Sequence, residues 1–280
     1  MKSFKKLAFV AALIMLPIFL TTTFAQKKVM LKYNLKEGST YKNLTKVDQE
    51  IGFEANGQTM SLNQVILMKT SITAEDAENS NIRLNTKLDA MRMEQSIFGM
   101  DIIYDSEIDS TKKDPMVQKV AESLDKLIGS TYGVIIDEQG NIIEYDMGDF
   151  GSNSDITNNL TSGNSYANFP DKKVAVGDSW EADITPLKDS DMSYHTKYTV
   201  VKIKKKEVTL AVETKISGNK LNNMDSKIEG SITGEMLVDP KTGWTISSDM
   251  DMEMTMELDQ QGTKFPATIS GTVTVEPIKE

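Results

Sequence analysis

The chain has 280 residues and a formal net charge of −10, with 41 acidic and 31 basic side chains, one histidine and no cysteine. The acidic balance argues against a nucleic-acid partner, because phosphate binding depends on clustered Lys and Arg. The absence of cysteine excludes disulfides, thiolate nucleophiles and an acylated N-terminal cysteine, and a single histidine cannot form a histidine-ligated metal cluster.

Residues 1–25 predict an export signal. Lysines precede an apolar run from Leu7 to Leu20, and small residues suited to cleavage stand just before Gln26. A membrane anchor is the alternative interpretation, but this run contains Pro17 and is shorter than the roughly 20 residues that a bilayer span needs. We expect a mature chain that is periplasmic or extracellular, without a lipid anchor and without a membrane span.

Two-residue alternation of apolar and polar side chains dominates residues 26–147, which we predict to be a first β-rich half. Asn56-Gly57 is typical of a tight hairpin turn. The apolar parity changes between Ala90 and Met91, and such a change needs one extra residue if the same face is to stay buried. A β-bulge is therefore predicted there.

One segment, residues 114–128, breaks this rhythm and predicts an amphipathic helix. Asp114 can cap its start, Pro115 suits the first helical position, and Gly129 follows its last apolar residue. The apolar stripe of this helix is expected to cover one face of a sheet.

Residues 148–168 are rich in Gly, Ser and Asn and predict a polar loop or linker. A second β-rich half follows over residues 169–280. The segment Gly38–Tyr41 is weakly repeated at Gly177–Trp180, so the two halves could be structural repeats. They could form two units or one continuous domain. Chance similarity between hairpins is the alternative.

The clearest strand covers residues 244–258, where all side chains of one parity except Ser248 are apolar and those of the other parity are mainly acidic. Successive strand residues point to opposite faces, so one face is apolar and the other is wet, as in antiparallel sheets. We predict an α+β, β-dominated fold: a long curved antiparallel sheet, or sheets, from two weakly repeated halves, with the helix on one face.

Methionines are concentrated at alternating positions of the predicted strands. Methionine adapts to irregular apolar shapes, so these side chains could face an apolar ligand or could fill an ordinary core. The candidate ligand-facing residues are Met91, Met93, Met236, Met250, Met252, Met254 and Met256.

No catalytic motif is recognised. His195 lies on a predicted strand without a nucleophile elbow, so it is expected to be structural or at the surface. Alternate acids such as Asp249 and Asp251 lie too far apart along a strand to share one cation. The sequence predicts no catalytic residue, no metal site and no cofactor.

Four segments resemble a family of uncharacterised exported bacterial proteins that is known only as a domain of unknown function. In chain order they are NLKEGSTYKNLTKVDQEI, IDEQGNIIEYDMG, FPDKKVAVGDSWEADI and GEMLVDPKTGW. The resemblance covers nearly all of the mature chain and implies no site residues. More loosely, the predicted architecture is similar to periplasmic lipoprotein carriers, whose curved sheet encloses acyl chains.

We hypothesise an exported, non-enzymatic binding module for an unknown ligand, such as a hydrophobic or lipid-like molecule. The first alternative is a structural or protein-interaction module of the cell envelope whose core is fully packed. The third hypothesis is a hydrolase with an unrecognised carboxylate site. Such a site cannot be recognised in a sequence, because carboxylate pairs are defined by their spacing in the fold.

Overall fold

A computed structural model describes residues 27–55, 58–76, 81–97, 99–113, 115–146, 148, 166–184, 191–221, 224–260 and 263–279. Four predictions lie wholly or largely outside these residues: the export signal, the Asn56-Gly57 turn, the helix cap at Asp114 and most of the polar loop at 148–168. The candidate methionines all lie within them.

The described residues form a single sheet of 12 strands together with one α-helix, so of the two predicted arrangements, one sheet or several, the structure has one sheet. The elements are β1 (Thr40–Ala55), β2 (Gln58–Asp76), β3 (Ile82–Ile97), β4 (Met100–Asp105), α1 (Pro115–Leu124), β5 (Thr131–Ile136), β6 (Ile142–Asp146), β7 (Ser179–Ile184), β8 (Ser193–Ile203), β9 (Val208–Leu221), β10 (Met224–Val238), β11 (Thr245–Gln260) and β12 (Thr263–Pro277).

The strand order is β6-β5-β3-β2-β1-β12-β11-β10-β9-β8-β7, with β4 pairing beside β3, and each described pairing is antiparallel. The first six strands therefore form one side of the sheet and the last six form the other. Strands β1 and β12 join the two sides. The β-dominated fold with a long antiparallel sheet is confirmed.

The sheet curves so that strands far apart in its order share one core. A single buried cluster combines Leu84 of β3 and Val134 of β5 with Val200 of β8 and Leu210 of β9. Such strands can meet only if the sheet bends toward one face.

Two glycines allow neighbouring strands to approach closely within this bend. A Cβ on Gly234 would collide with the backbone oxygen of Asp249 in β11, and a Cβ on Gly271 would collide with that of Asp48 in β1. Glycine inside a strand often marks such a close backbone approach.

Two extended segments close one end of the sheet, which we call the base. Residues 27–36 and 166–175 are joined by the bridge between Val29 and Val174. Tyr33 and Phe169 project from them into the core, with ring centroids 5.2 Å apart. The indole N–H of Trp180 on β7 donates a hydrogen bond of 2.7 Å to the carbonyl oxygen of Asn168, which fixes the second segment to the sheet.

The predicted bulge and helix both occur, with one difference in length. Lys69 pairs with Ala90 and Thr70 pairs with Leu88, so Asp89 is the extra residue of the bulge. The helix ends at Leu124 rather than at residue 128. It stops there because Gly129 donates its N–H to the carbonyl oxygen of Leu88 at 2.7 Å, so the chain has already turned back to pair with β3.

Candidate functional site

The strand register places apolar side chains from ten strands in continuous rows across one face of the sheet. Directly paired residues in antiparallel strands point to the same face, so this apolar face can be followed from β7 to β4. One of these rows, which we call the covered row, contains Trp180, Tyr198, Val212, Gly234, Met250, Val273, Val47, Ile66, Met93 and Tyr104.

Most of the covered row is packed beneath the core and α1, whereas Val47 is half-buried outside the clusters of the described residues. Val117 and Ala121 of α1 are buried against Met93 and Tyr104, while Met250 belongs to the main core. The apolar stripe of α1 therefore covers this part of the sheet face, as the sequence predicted.

A hydrogen bond of 2.7 Å from the Tyr104 hydroxyl to Oδ1 of Asp125 fastens the far end of α1 to β4. Burial, followed by this carboxylate, raises the pKa of Tyr104 well above its usual range. Burial opposes ionisation of Asp125 as well, yet the Tyr104 hydroxyl and Lys112 together lower the pKa of that carboxyl. The bond therefore joins a neutral phenol to a carboxylate near neutral pH.

The next row along the strands, which we call the glutamine row, is partly polar. Gln49, Gln64 and Gln95 are paired with one another on β1, β2 and β3. Gln49 Nε2 donates to Gln64 Oε1 at 2.8 Å, and Gln64 Nε2 lies 3.8 Å from the sulfur of Met93. The row also contains Ala182, Thr196, Thr214, Ile232, Met252, Gly271 and Ile102.

Beyond the glutamine row the face becomes apolar again, in two rows that we call together the open region. The first of these rows contains Ile184, Tyr194, Ile216, Gly230, Met254, Ile269, Ile51, Leu62 and Met100; the second contains Gly218, Ile228, Met256, Ala267, Phe53 and Met60.

The two sides of the open region differ in burial. On β8, β9 and β10 its residues are buried except for the half-buried Gly230, and Ile228 is only 1% exposed. On β11, β12, β1 and β2, half-buried residues such as Met254, Ile269 and Ile51 stand outside the packed clusters of the described residues. The apolar face thus extends beyond what the described part of the chain packs against it.

The seven candidate methionines all point to this apolar face, but they have three different environments. Met91 and Met93 pack near α1, and Met236 and Met250 belong to the main core. Only three are half-buried outside a packed cluster: Met252, Met254 and Met256. A ligand contact is a prediction for these three.

A depression of about 400 Å³ surrounds Gly230, Met254 and Ile269, but it lies mainly on the wet face. Six of the nine residues that line it point to that face: Glu229, Ser231, Glu253, Thr255, Thr268 and Ser270. It is therefore not part of the open region and gives no pocket on the apolar face.

No charged side chain stands on the apolar face in the covered row, the glutamine row or the open region, as these rows are defined above. The charged residues of the same strands, such as Asp48, Glu50, Asp251 and Glu253, point to the opposite face. An ionised group buried against the apolar face would meet no compensating charge there.

The opposite face holds the single histidine. His195 is exposed, and its Nδ1 lies 2.7 Å from Oδ1 of Asp183 on β7. Among the residues that the structure describes, no group of three or more His, Asp or Glu side chains could hold a metal ion. In the same residues, no helix is long and apolar enough to cross a membrane.

The glutamine row was missed by sequence reasoning. Each glutamine replaces one apolar residue in the alternation of its own strand, and a single such exception is common. The available signal was the repetition: Gln49, Gln64 and Gln95 hold an apolar-parity position in three successive strands.

Residues 147–245 match the model of a family described as "Family of unknown function (DUF6263)". This range includes the segment from Phe169 to Trp180 that is central to the sequence resemblance. The predicted likeness to an uncharacterised family is confirmed for this part of the chain. No curated protein matches the chain.

Among solved structures, the chain is similar to the "Translocator domain of autotransporter NalP from Neisseria meningitidis". The match covers 87% of this chain and 91% of that one, with 8% identity and a TM-score of 0.23. A TM-score this low does not establish a common fold. The comparisons also do not show the predicted likeness to periplasmic lipoprotein carriers.

Proposed function

We propose that the chain is an exported binding module that holds an apolar, lipid-like molecule along the open region of its sheet. The observation that carries this proposal is the half-burial of Met252, Met254 and Met256 on an apolar face, outside the clusters in which the described residues pack. Apolar surface left beside a core is stabilised when a ligand removes it from water.

The residue types support an apolar occupant. Methionine side chains are flexible and polarisable, so three in alternation on β11 can adapt to chains of different shape. Ile51 and Ile269 are paired beside them and offer branched side chains. An elongated molecule that lies across β11, β12 and β1 would contact all of these groups.

The interaction module with a fully packed core is less well supported. That alternative requires the methionines of β11 to be buried as core, and of these Met250 is buried whereas Met252, Met254 and Met256 are half-buried. Export rests on the predicted signal at residues 1–25. Export is part of the proposal because apolar molecules need a protein carrier or binder in the aqueous space of a cell envelope.

The test is binding of N-phenyl-1-naphthylamine, an uncharged dye whose fluorescence rises in apolar surroundings. We expect the mature chain to bind it and Met254→Glu to weaken binding by about tenfold or more, because a carboxylate would then stand within the apolar site. Glu253→Gln is the matched control, since the neighbouring side chain points to the opposite face.

The expected result is normal dye binding by Glu253→Gln. Two results contradict the proposal: no dye binding by the wild-type chain, or an equal loss in both variants. Circular dichroism and thermal melting of each variant establish that a loss of binding is not a loss of folding.

A further inference from the structure

The glutamine row holds hydrogen-bonding groups in the middle of an uncharged apolar face. Its amides lie between Val47 and Ile66 on the base side and Ile51 and Leu62 on the other. All three glutamines are half-buried. The row is therefore the boundary between the packed core and the open region.

These amides retain hydrogen-bonding capacity after their mutual contacts. A glutamine amide has two N–H donors and a carbonyl oxygen with two lone pairs. Within the described residues, the side-chain contacts of this row use one N–H of Gln49, the oxygen of Gln64, and one N–H of Gln64 toward sulfur. The carbonyl oxygen of Gln49 is left as an acceptor, and further N–H groups are left as donors.

A purely apolar occupant would cover these groups and give them no partner. Removing an amide from water without a new hydrogen bond is unfavourable. Pockets for small molecules commonly combine apolar walls with a few polar groups that fix the orientation of the ligand. Here Met252, Met254 and Ile269 provide the apolar wall, and the glutamine amides provide the polar groups.

The lack of charge on the face limits the polar group of the ligand. An ionised carboxylate or phosphate beside Gln49 would be desolvated with no Lys or Arg on the apolar rows to compensate it. An ester, an amide or a hydroxyl can exchange hydrogen bonds with glutamine amides at no such cost.

We propose that the glutamine row selects an uncharged amphiphile: its ester, amide or hydroxyl group bonds to Gln49 and Gln64, and its hydrocarbon part lies over Ile51, Ile269 and Met254. This inference rests on the proposed function, because it assumes that the open region holds a ligand. It adds the chemical class of that ligand and the side chains that recognise it.

The experiment compares two competitors with the same acyl chain, 1-decanoylglycerol and decanoate, at about pH 8, where a fatty carboxylate is ionised. Each displaces N-phenyl-1-naphthylamine from the wild-type chain, from the double variant Gln49→Leu/Gln64→Leu and from Asn63→Leu. Asn63 is the matched control, because it neighbours Gln64 on β2 but points to the wet face.

For the wild type we expect 1-decanoylglycerol to compete at a concentration about tenfold lower than decanoate. In the double variant its affinity should fall about threefold to tenfold, the loss expected for one hydrogen bond, while binding of the dye itself is retained. Asn63→Leu should keep the wild-type preference.

The inference is overturned if decanoate competes as well as 1-decanoylglycerol, or if the preference survives in the double variant. Dye binding without preference removes the inference and leaves the proposed function, whereas no dye binding by the wild type removes both. Gln49→Leu alone provides the same comparison if the double variant does not fold.

Discussion

Tyr104 of β4 and Asp125 after α1 are joined by a hydrogen bond of 2.7 Å from the phenol to Oδ1 of the carboxylate. Tyr104 is fully buried, and Lys112 Nζ lies 3.0 Å from the same oxygen of Asp125. The helix that covers part of the apolar face is thereby attached to the sheet at its C-terminal end.

Tyr104→Phe removes this bond and leaves the ring in place. We expect the free energy of unfolding to fall by about 1 to 2 kcal/mol, the range for a hydrogen bond to a charged acceptor with some solvent access. Urea unfolding followed by fluorescence measures the change. Because α1 packs on Met93, hydrogen exchange of the helix should also become faster.

Tyr145→Phe is the matched control for this change. The hydroxyl of Tyr145 is buried and has no hydrogen-bond partner among the described residues, so its removal should leave stability unchanged or slightly higher. Equal losses in the two variants would show that the Tyr104–Asp125 bond contributes nothing specific.

Gly234→Ala tests the close approach of β10 to β11. The new methyl group would collide with the backbone oxygen of Asp249, so the two strands must separate locally. We expect a loss of about 2 kcal/mol or more, at the upper end of single substitutions. Ser231→Ala, a similar small change on the opposite face of β10, should alter stability by less than about 0.5 kcal/mol.

Local features of the fold were predictable because they depend on neighbours in the sequence. The alternation near Met250 predicted β11 and its faces, and the parity change at Ala90 predicted the bulge at Asp89. Both depend on the two-residue period of a strand, which a single segment displays in full.

Long-range features were not predictable in the same way. The register that places Met250 in one row with Val47 and Met93 depends on the pairing of β1 with β12, in which Val47 and Val273 are 273 − 47 = 226 positions apart, and no local pattern specifies it. The absence of a local signal for register hid the glutamine row, although Gln49, Gln64 and Gln95 are joined by two successive hairpins. It also hid the segments that hold Tyr33 and Phe169, because neither segment has a regular period.

The rates of methionine oxidation should distinguish the open region from the core. With dilute hydrogen peroxide we expect Met252, Met254 and Met256 to form sulfoxides several-fold faster than Met236 and Met250, because solvent access limits the reaction. Peptide mass spectrometry over time gives each rate.

An apolar ligand adds a second measurement to this experiment. Saturation with N-phenyl-1-naphthylamine should slow oxidation of the three half-buried methionines and leave the others unchanged. If all five react at one rate, the three are not more accessible than the core; if the dye protects none of them, its binding site lies elsewhere.

Alkaline pH should unfold the chain through its buried tyrosines. Burial raises the pKa of Tyr198 to about 12, and burial with neighbouring tyrosines raises the pKa of Tyr145 to about 12, compared with 10.0 for an unperturbed phenol. A raised pKa in the folded state means that the neutral form is favoured there. The stability is therefore fully present below about pH 10 and is lost as the pH rises toward 12.

We expect the tyrosinate absorbance of these residues to appear together with the loss of β-sheet circular dichroism, between about pH 10 and 12. Tyr145→Phe removes one ionisable buried group, so its unfolding should begin at a higher pH than that of the wild type. If the buried tyrosines ionise near pH 10 while the sheet signal is intact, water reaches their hydroxyls in the folded chain. The base would then be more open to solvent than the burial of Tyr198 and Phe169 implies.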